Sequence, residues 1–175
     1  MSEAGGGVAS EASPVAGSDA DRRATTTASS PHAPEALAAR PLVVHFVERA
    51  RRHPTHVAFR YKDLGIWQEM TWAGYRERVE RLALGLSELG VGRGDCVAVM
   101  AQPVPEWLYA DMALQSLGAL TVGIYPTMTP EELRQLLDSC RPLVAITRDG
   151  DEVARLNDSG HEGISDVVLI DSSSG

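Results

Sequence analysis

The sequence predicts an α/β fold: a three-layer, mostly parallel sheet with flanking helices, preceded by a helix and a β-hairpin. Short apolar runs recur at residues 97–101, 120–125, 143–147 and 167–170, and amphipathic helical patterns separate them. Each run is apolar at consecutive positions, which is typical of strands buried on both faces of a parallel sheet. A helical pattern and two short extended segments precede the first run.

The first 40 residues differ in composition from the rest. Residues 1–40 contain no aromatic side chain and are rich in Ala, Ser, Gly, Thr and Pro. Such a segment buries too little apolar surface to offset the entropy lost on ordering it. We therefore predict a disordered tail over residues 1–40 and a folded part over residues 41–175.

The folded part opens with a helix and a hairpin. Apolar residues recur at helical spacing over residues 41–54, and proline bounds the segment at both ends. Two extended runs, residues 57–62 and 66–70, flank Asp63-Leu64-Gly65, a sequence typical of a turn. These runs predict the β-hairpin.

The remaining helices carry recognisable start and stop signals. Thr71 is a good N-cap for the helix that follows the hairpin, and Gly90 is well placed to end it. Pro105 begins the next helix, which runs towards Gly118. The segment Thr129-Pro130-Glu131-Glu132 is a capping box with proline at the first helical position.

Composition disfavours several classes of partner. The net charge of −8 disfavours binding to nucleic acid or to an anionic membrane surface. No apolar run reaches the roughly 18 residues of a transmembrane segment. The Arg22-Arg23 pair precedes Ala-Thr-Thr-Thr and not an apolar stretch, which disfavours an export signal. The predicted location is the cytoplasm.

The two cysteines, Cys96 and Cys140, are predicted to be buried, inert thiols. Their spacing matches no CxxC or metal-binding pattern. A disulfide or redox pair is the alternative, which a reducing cytosol disfavours.

Candidate ligand-contacting residues are few. The Tyr125-Pro126-Thr127 turn follows a predicted parallel strand, and open α/β sheets tend to place ligands at such ends. A purely structural turn, set by the proline and with a packed tyrosine, is nevertheless the favoured interpretation, and ligand contact is the alternative. Phe59 and Trp67 are interpreted as packing residues, with substrate stacking by Trp67 as the alternative. Gly92-Arg93-Gly94-Asp95 precedes a strand, so a turn is favoured over a phosphate loop.

Catalytic constellations are sparse. No pair among the five histidines has convincing metal-ligand spacing, and no serine lies in a G-x-S-x-G elbow. The acidic segment Asp149-Gly150-Asp151-Glu152 lacks the remaining ligands of a calcium loop and is better explained as a helix-capping turn. We therefore assign no catalytic, cofactor-binding or metal-ligating residue from the sequence.

Five short segments, in this order, resemble the N-terminal part of the adenylate-forming enzymes, most closely the long-chain fatty acyl-CoA ligases. The segments are Phe59-Arg60-Tyr61-Lys62, Gly65 to Trp72, Gly94-Asp95, Pro105-Glu106-Trp107 and Gly123-Ile124-Tyr125-Pro126-Thr127. The resemblance runs from about Leu42 to Ile170. It implies that residues 41–175 form part of the N-terminal domain of such a ligase.

The resemblance also implies a chemistry. Enzymes of this family join a carboxylate to ATP, and the thiol of CoA then attacks the acyl-adenylate, so ATP, Mg²⁺ and CoA are the expected cofactors of an intact enzyme. The family's phosphate-holding TSGTTGxPKG loop and its acidic Tyr-Gly-x-Thr-Glu motif have no counterpart in this sequence. The single lysine, Lys62, lies on the predicted hairpin, outside both lysine positions of the family pattern.

We therefore expect the chain to be inactive alone and to bind no cofactor. Its expected partners are downstream segments of the ligase or a complementary chain. Fatty acid, ATP and CoA are expected only in an intact enzyme. The alternative is a non-catalytic α/β interaction module that pairs with a separately encoded remainder or a homologue. Marginal stability and exposed apolar surface are expected in either case.

Overall fold

A computed structural model describes residues 40–170 of the chain. The predicted disordered tail lies outside these residues except for Arg40, and so does the stretch 171–175. The described part contains five helices and six strands. The helices are α1 (Leu42–Arg52), α2 (Trp72–Glu88), α3 (Pro105–Leu117), α4 (Pro130–Cys140) and α5 (Gly150–Asp158). The strands are β1 (Val57–Asp63), β2 (Ile66–Thr71), β3 (Cys96–Met100), β4 (Leu120–Ile124), β5 (Val144–Thr147) and β6 (Asp166–Leu169).

The larger sheet has four parallel strands in the order β4-β3-β5-β6. Strand β3 is central: its residue Val97 lies opposite Thr121 of β4 and Val144 of β5. Strands β1 and β2 form a separate antiparallel hairpin. The predicted parallel sheet and the hairpin before it are therefore both confirmed.

Helices cover the sheet on both faces. Side chains of β3 alternate, so Val97 and Val99 lie in one buried cluster with residues of α1, α2 and α3. Ala98 and Met100 lie in a second cluster with residues of α4 and α5. The three-layer arrangement follows from this alternation, because a strand with apolar residues at every position needs a partner on each face.

The predicted helix boundaries are set by local hydrogen bonds. The Thr71 hydroxyl accepts from the backbone N–H of Gly74, which caps α2. Thr129 and Glu132 form the predicted capping box of α4. Gly118 ends α3 at φ 74°, a left-handed conformation in which a Cβ atom is unfavourable. In α2 the last helical residue is Glu88, and Gly90 follows at φ 86°.

One packing prediction for the hairpin is wrong. Phe59 packs in the core through an edge-on contact with the Tyr75 ring, with 5.3 Å between centroids. Trp67, by contrast, is 64% exposed. It lies opposite Lys62, whose ammonium stands 5.4 Å from the indole centroid. Phe59 and Lys62 have opposite parity along β1, so their side chains lie on opposite faces and only the face carrying Phe59 is docked.

The prediction of buried cysteines also needs correction. Cys96 and Cys140 are both free, and both are half-buried. Cys96 begins β3 and Cys140 ends α4, so each lies at the margin of the core and not inside it.

Candidate functional site

An apolar groove of about 710 Å³ lies at the carboxyl ends of β3 and β4. Its size falls in the range typical of ligand pockets. Three parts of the chain form its walls: strand β1, the segment from the end of β3 into α3, and the segment from the end of β4 to the following turn. The lining residues are Phe59, Arg60, Tyr61, Ala101, Gln102, Pro103, Val104, Pro105, Trp107, Leu108, Gly123, Ile124, Tyr125, Pro126 and Thr127.

The wall between β3 and α3 owes its shape to proline. Pro103 lies in the connection and Pro105 is the first residue of α3, where its fixed φ suits the helix and its missing N–H costs nothing. The first turn of α3 then presents Trp107 and Leu108 to the groove. A Cβ atom at Gly123 would stand 3.6 Å from the Trp107 ring, so the indole lies in contact with strand β4.

The predicted Tyr125-Pro126-Thr127 turn lies in this groove. The carbonyl of Tyr125 accepts from the N–H of Met128 at 3.1 Å, which closes the turn. The Tyr125 side chain is 77% exposed, so the favoured interpretation of a tyrosine packed in the core is wrong. The turn therefore presents an aromatic side chain to solvent at the rim of the groove.

The hairpin supplies the opposite wall. Arg60 is held by an exposed ion pair with Glu69 of β2, with Arg60 Nε 2.7 Å from Glu69 Oε1. Trp67 and Lys62 are not among the residues that line the groove, and their side chains contact each other. The stacking alternative for Trp67 therefore finds no support in the groove.

The lining of the groove is mostly apolar. Arg60 is the one residue with a permanent charge among the described lining residues. The groove therefore offers apolar contact and a few polar groups, such as Gln102 and Thr127.

Perturbed titratable groups lie elsewhere. Burial raises the pKa of Tyr75 and of Tyr109 to about 12. Burial also raises the pKa of Glu152, although the backbone N–H of Arg148 donates to its Oε2 at 2.5 Å and opposes that shift. The Asp149 carboxylate accepts from the N–H of Glu152 and caps α5, as the sequence predicted.

Among residues 40–170, no three His, Cys, Asp or Glu side chains converge in a way that could hold a metal ion. The helices described there are all too short or too polar to cross a membrane. The predicted turn over Gly92 to Asp95 is also found: Asp95 Oδ2 accepts from the N–H of Gly92 at 2.9 Å, and β3 follows.

Of the three walls, the sequence offered only the Tyr125-Pro126-Thr127 turn as a candidate for ligand contact. Neither Gln102 nor Arg60 carries a signal for ligand contact on its own. A signal was nevertheless present, because three of the segments that carry the family resemblance meet at this groove. They are Phe59 to Tyr61, Pro105 with Trp107, and Gly123 to Thr127.

Comparison with known proteins yields curated relatives of two kinds. One is the long-chain-fatty-acid–CoA ligase FadD15 of Mycobacterium bovis, 34% identical over 97 residues, which are 55% of this chain and 16% of that ligase. The other is the Uncharacterized protein Rv1549 of Mycobacterium tuberculosis, 36% identical over 104 residues. That match covers 59% of this chain and 58% of Rv1549, so the two chains are similar in length.

Solved structures share the fold. A protein assigned as a long-chain-fatty-acid CoA ligase of Rhodopseudomonas palustris superposes with a TM-score of 0.66 at 27% identity, over 78% of this chain and 34% of that chain. A Mycobacterium tuberculosis fatty acyl CoA synthetase gives the same TM-score at 22% identity, over 74% of this chain and 26% of that chain.

The family model described as AMP-binding enzyme matches residues 46–174, which include all three walls of the groove. This match covers most of the chain and agrees with the parallel sheet, the preceding hairpin and the ligase relatives. The chain therefore belongs to the AMP-binding enzyme family.

Proposed function

We propose that the chain provides the N-terminal portion of a long-chain fatty acyl-CoA ligase. The observation that carries the proposal is the 34% identity to FadD15, which falls on 55% of this chain. In the intact ligase, ATP, Mg²⁺ and CoA serve a two-step reaction: a fatty carboxylate is adenylated and then transferred to the CoA thiol. The proposed place of action is the cytoplasm.

We further propose that this chain does not adenylate a fatty acid on its own. Adenylation needs cationic and hydrogen-bonding groups around the phosphates, where charge builds in the transition state. Lys62 is poorly placed for that role, because it does not line the groove and its ammonium stands 5.4 Å from the Trp67 ring. Arg60 is the one charged residue among the described lining residues, and it is already paired with Glu69.

Pyrophosphate exchange tests the proposal of inactivity. Purified chain is incubated with ATP, Mg²⁺, labelled pyrophosphate and a long-chain fatty acid, and label entering ATP is counted. We expect label at the level of a no-protein control. A Trp107→Ala variant serves as a matched protein control, since Trp107 lines the groove. Exchange above background that the variant loses would show that this chain adenylates fatty acids and would contradict the proposal.

The second candidate is a non-catalytic interaction module. It is favoured by exposed apolar surface at the groove, where Tyr125 is 77% and Leu108 41% exposed. A surface of this kind is typical of a protein interface. The proposed partner is a separately encoded polypeptide that carries the remaining segments of an AMP-binding enzyme, or a homologue.

Co-expression distinguishes the two candidates. The chain is produced together with residues of FadD15 that follow its matched region, and the mixture is purified through a tag on one partner. Recovery of a complex with ligase activity supports the ligase portion, and recovery of an inactive complex supports the module. Leu108→Lys should weaken either complex, whereas Leu84→Lys, at an exposed position of α2 outside the groove, should not. Absence of any complex would argue against both partners.

A further inference from the structure

The packing of α4 on the sheet sets a simple register between the helix and strand β3. Leu133 and Leu137 of α4 share a buried cluster with Met100 and Ala98 of β3. Helix α4 starts after the carboxyl end of β4 and stops before the amino end of β5, and the strands are parallel. The helix therefore runs towards the amino edge of the sheet, opposite to the direction of β3.

Both cysteines lie at the amino edge of the sheet. Cys96 precedes Ala98 by two strand positions, so its side chain lies on the face covered by α4. Cys140 follows Leu137 by three helix positions, about one turn further along the same side. One helical turn advances about 5 Å and two strand residues about 7 Å, so both steps lead towards the amino edge of the sheet.

One backbone contact joins the two segments. The N–H of Leu143, just after α4, donates to the carbonyl of Cys96 at 2.8 Å. Burial raises the pKa of the Cys140 thiol, and the Cys96 thiol raises it further, which agrees with neighbouring positions for the two side chains. Both thiols are free and half-buried, so small reagents can reach them.

We propose that Cys96 and Cys140 form a facing thiol pair that is converted to an intramolecular disulfide by a small-molecule disulfide such as oxidised glutathione. One cysteine thiolate attacks a sulfur of the oxidant, forms a mixed disulfide and releases one reduced thiol. The second thiolate attacks the protein sulfur of that mixed disulfide and releases the other reduced thiol. The two protein thiols lose two protons and two electrons, and the oxidant gains them.

The product would join the end of α4 to the start of β3 at the amino edge of the sheet. The groove lies at the carboxyl edge, so the cross-link would leave its lining unchanged. The raised pKa of Cys140 makes its thiolate scarce at neutral pH, so the reaction should accelerate as the pH rises. This modification site does not depend on the proposed ligase function.

The test is oxidation of the full chain by oxidised glutathione, followed by acid quenching, alkylation and mass spectrometry without reduction. We expect loss of both free thiols, a chain lighter by two hydrogens and a linked pair of peptides containing Cys96 and Cys140. Persistent glutathione adducts, a chain-to-chain dimer, or two alkylated thiols after prolonged oxidation would each overturn the proposal.

Two controls separate geometry from general thiol reactivity. Cys96→Ser and Cys140→Ser each keep one thiol and should accumulate a stable glutathione adduct. The second control is wild-type chain unfolded in urea. Its ratio of intramolecular disulfide to mixed glutathione adduct should be at least about tenfold lower than in the folded chain, because the thiols are then joined only by a flexible loop. Equal closure in folded and unfolded chain would also contradict the facing arrangement, even if the variants fold poorly.

Discussion

At the residue scale, Tyr75 joins the helical layer to the hairpin. Its ring contacts Phe46 at 4.7 Å and Phe59 at 5.3 Å between centroids, and its hydroxyl donates to the carbonyl of Leu108 at 3.1 Å. Leu108 lines the groove, so this hydrogen bond ties the core directly to one wall of the candidate site. Tyr75 is thus a position where stability and groove shape depend on the same side chain.

Removing only the hydroxyl of Tyr75 should cost about 1 kcal/mol in the free energy of unfolding, because the Leu108 carbonyl loses its side-chain donor. Tyr75→Ala should cost about 3–5 kcal/mol, since it leaves a cavity in the core. Urea denaturation followed by circular dichroism measures both. Tyr125→Phe, at a position 77% exposed, is the matched control and should change stability by no more than about 0.5 kcal/mol. Equal losses at the two positions would contradict this assignment.

The raised pKa values of Tyr75 and Tyr109 predict a loss of stability at alkaline pH. Burial raises the pKa of Tyr75 and Tyr109 to about 12 in the folded chain, against about 10 in an unfolded chain. The folded state therefore holds these protons more tightly, and stability is lost as the pH rises from about 10 towards about 12. Circular dichroism against pH, with tyrosinate absorbance recorded in parallel, should show this loss. Tyr75→Phe should reduce it, and an unchanged profile would count against the burial effect.

At the scale of elements, helix starts were predictable because single residues set them. The hydroxyl of Thr129 and the carboxylate of Glu132 satisfy backbone N–H groups that α4 would otherwise leave unpaired. The hydrogen bonds from Thr129 lower the pKa of Glu132. The stability that the ionised Glu132 carboxylate contributes is therefore present at neutral pH and is lost as acid protonates the carboxyl.

Thr129→Ala should lower the free energy of unfolding by about 1 kcal/mol, the usual value of an N-cap. Thr127→Ala is the control, since Thr127 is exposed and stands two residues before the cap. Thermal and urea unfolding of the two variants should therefore separate clearly. Indistinguishable midpoints would show that the capping box contributes little to α4.

The groove was harder to predict than the sheet that carries it. Strand positions follow from apolar runs, and the turn after β4 follows from Pro126, so one wall could be placed from the sequence. The wall formed by Phe59 to Tyr61 depends on which face of the hairpin docks. Aromatic residues occur on both faces, as Phe59 and Trp67 show, and only tertiary packing decides between them. That is why the prediction for Phe59 succeeded and the one for Trp67 failed.

At the scale of the whole molecule, strand β6 is an edge of the sheet that residues 40–170 form. It pairs only with β5 in the described sheet, and its Val167 and Leu169 are 42% and 56% exposed. Natural edges are usually guarded by charge, proline or a bulge, and Asp166 is the one residue of β6 that supplies such a guard. Concentration-dependent association is the expected result.

Leu169→Lys should reduce that association by placing a charge on the edge. Sedimentation velocity over a range of protein concentrations measures it. Leu84→Lys adds the same charge at a position of α2 that is 68% exposed and should have little effect on association. If wild-type chain stays monomeric at all concentrations, or if both variants behave alike, β6 is not the associating edge.

The strand order β4-β3-β5-β6 also affects how the chain folds while it is being synthesised. Among the four strands of the larger sheet, β3 leaves the ribosome first, yet its second neighbour, β5, begins only at Val144. Until then the apolar run from Val97 to Met100 has one strand edge open, with the α4 layer still incomplete. Non-local pairing of this kind is slow and exposes intermediates to aggregation. Nascent chains ending before β5 should therefore be the species that engage chaperones, and synthesis through β5 should release them.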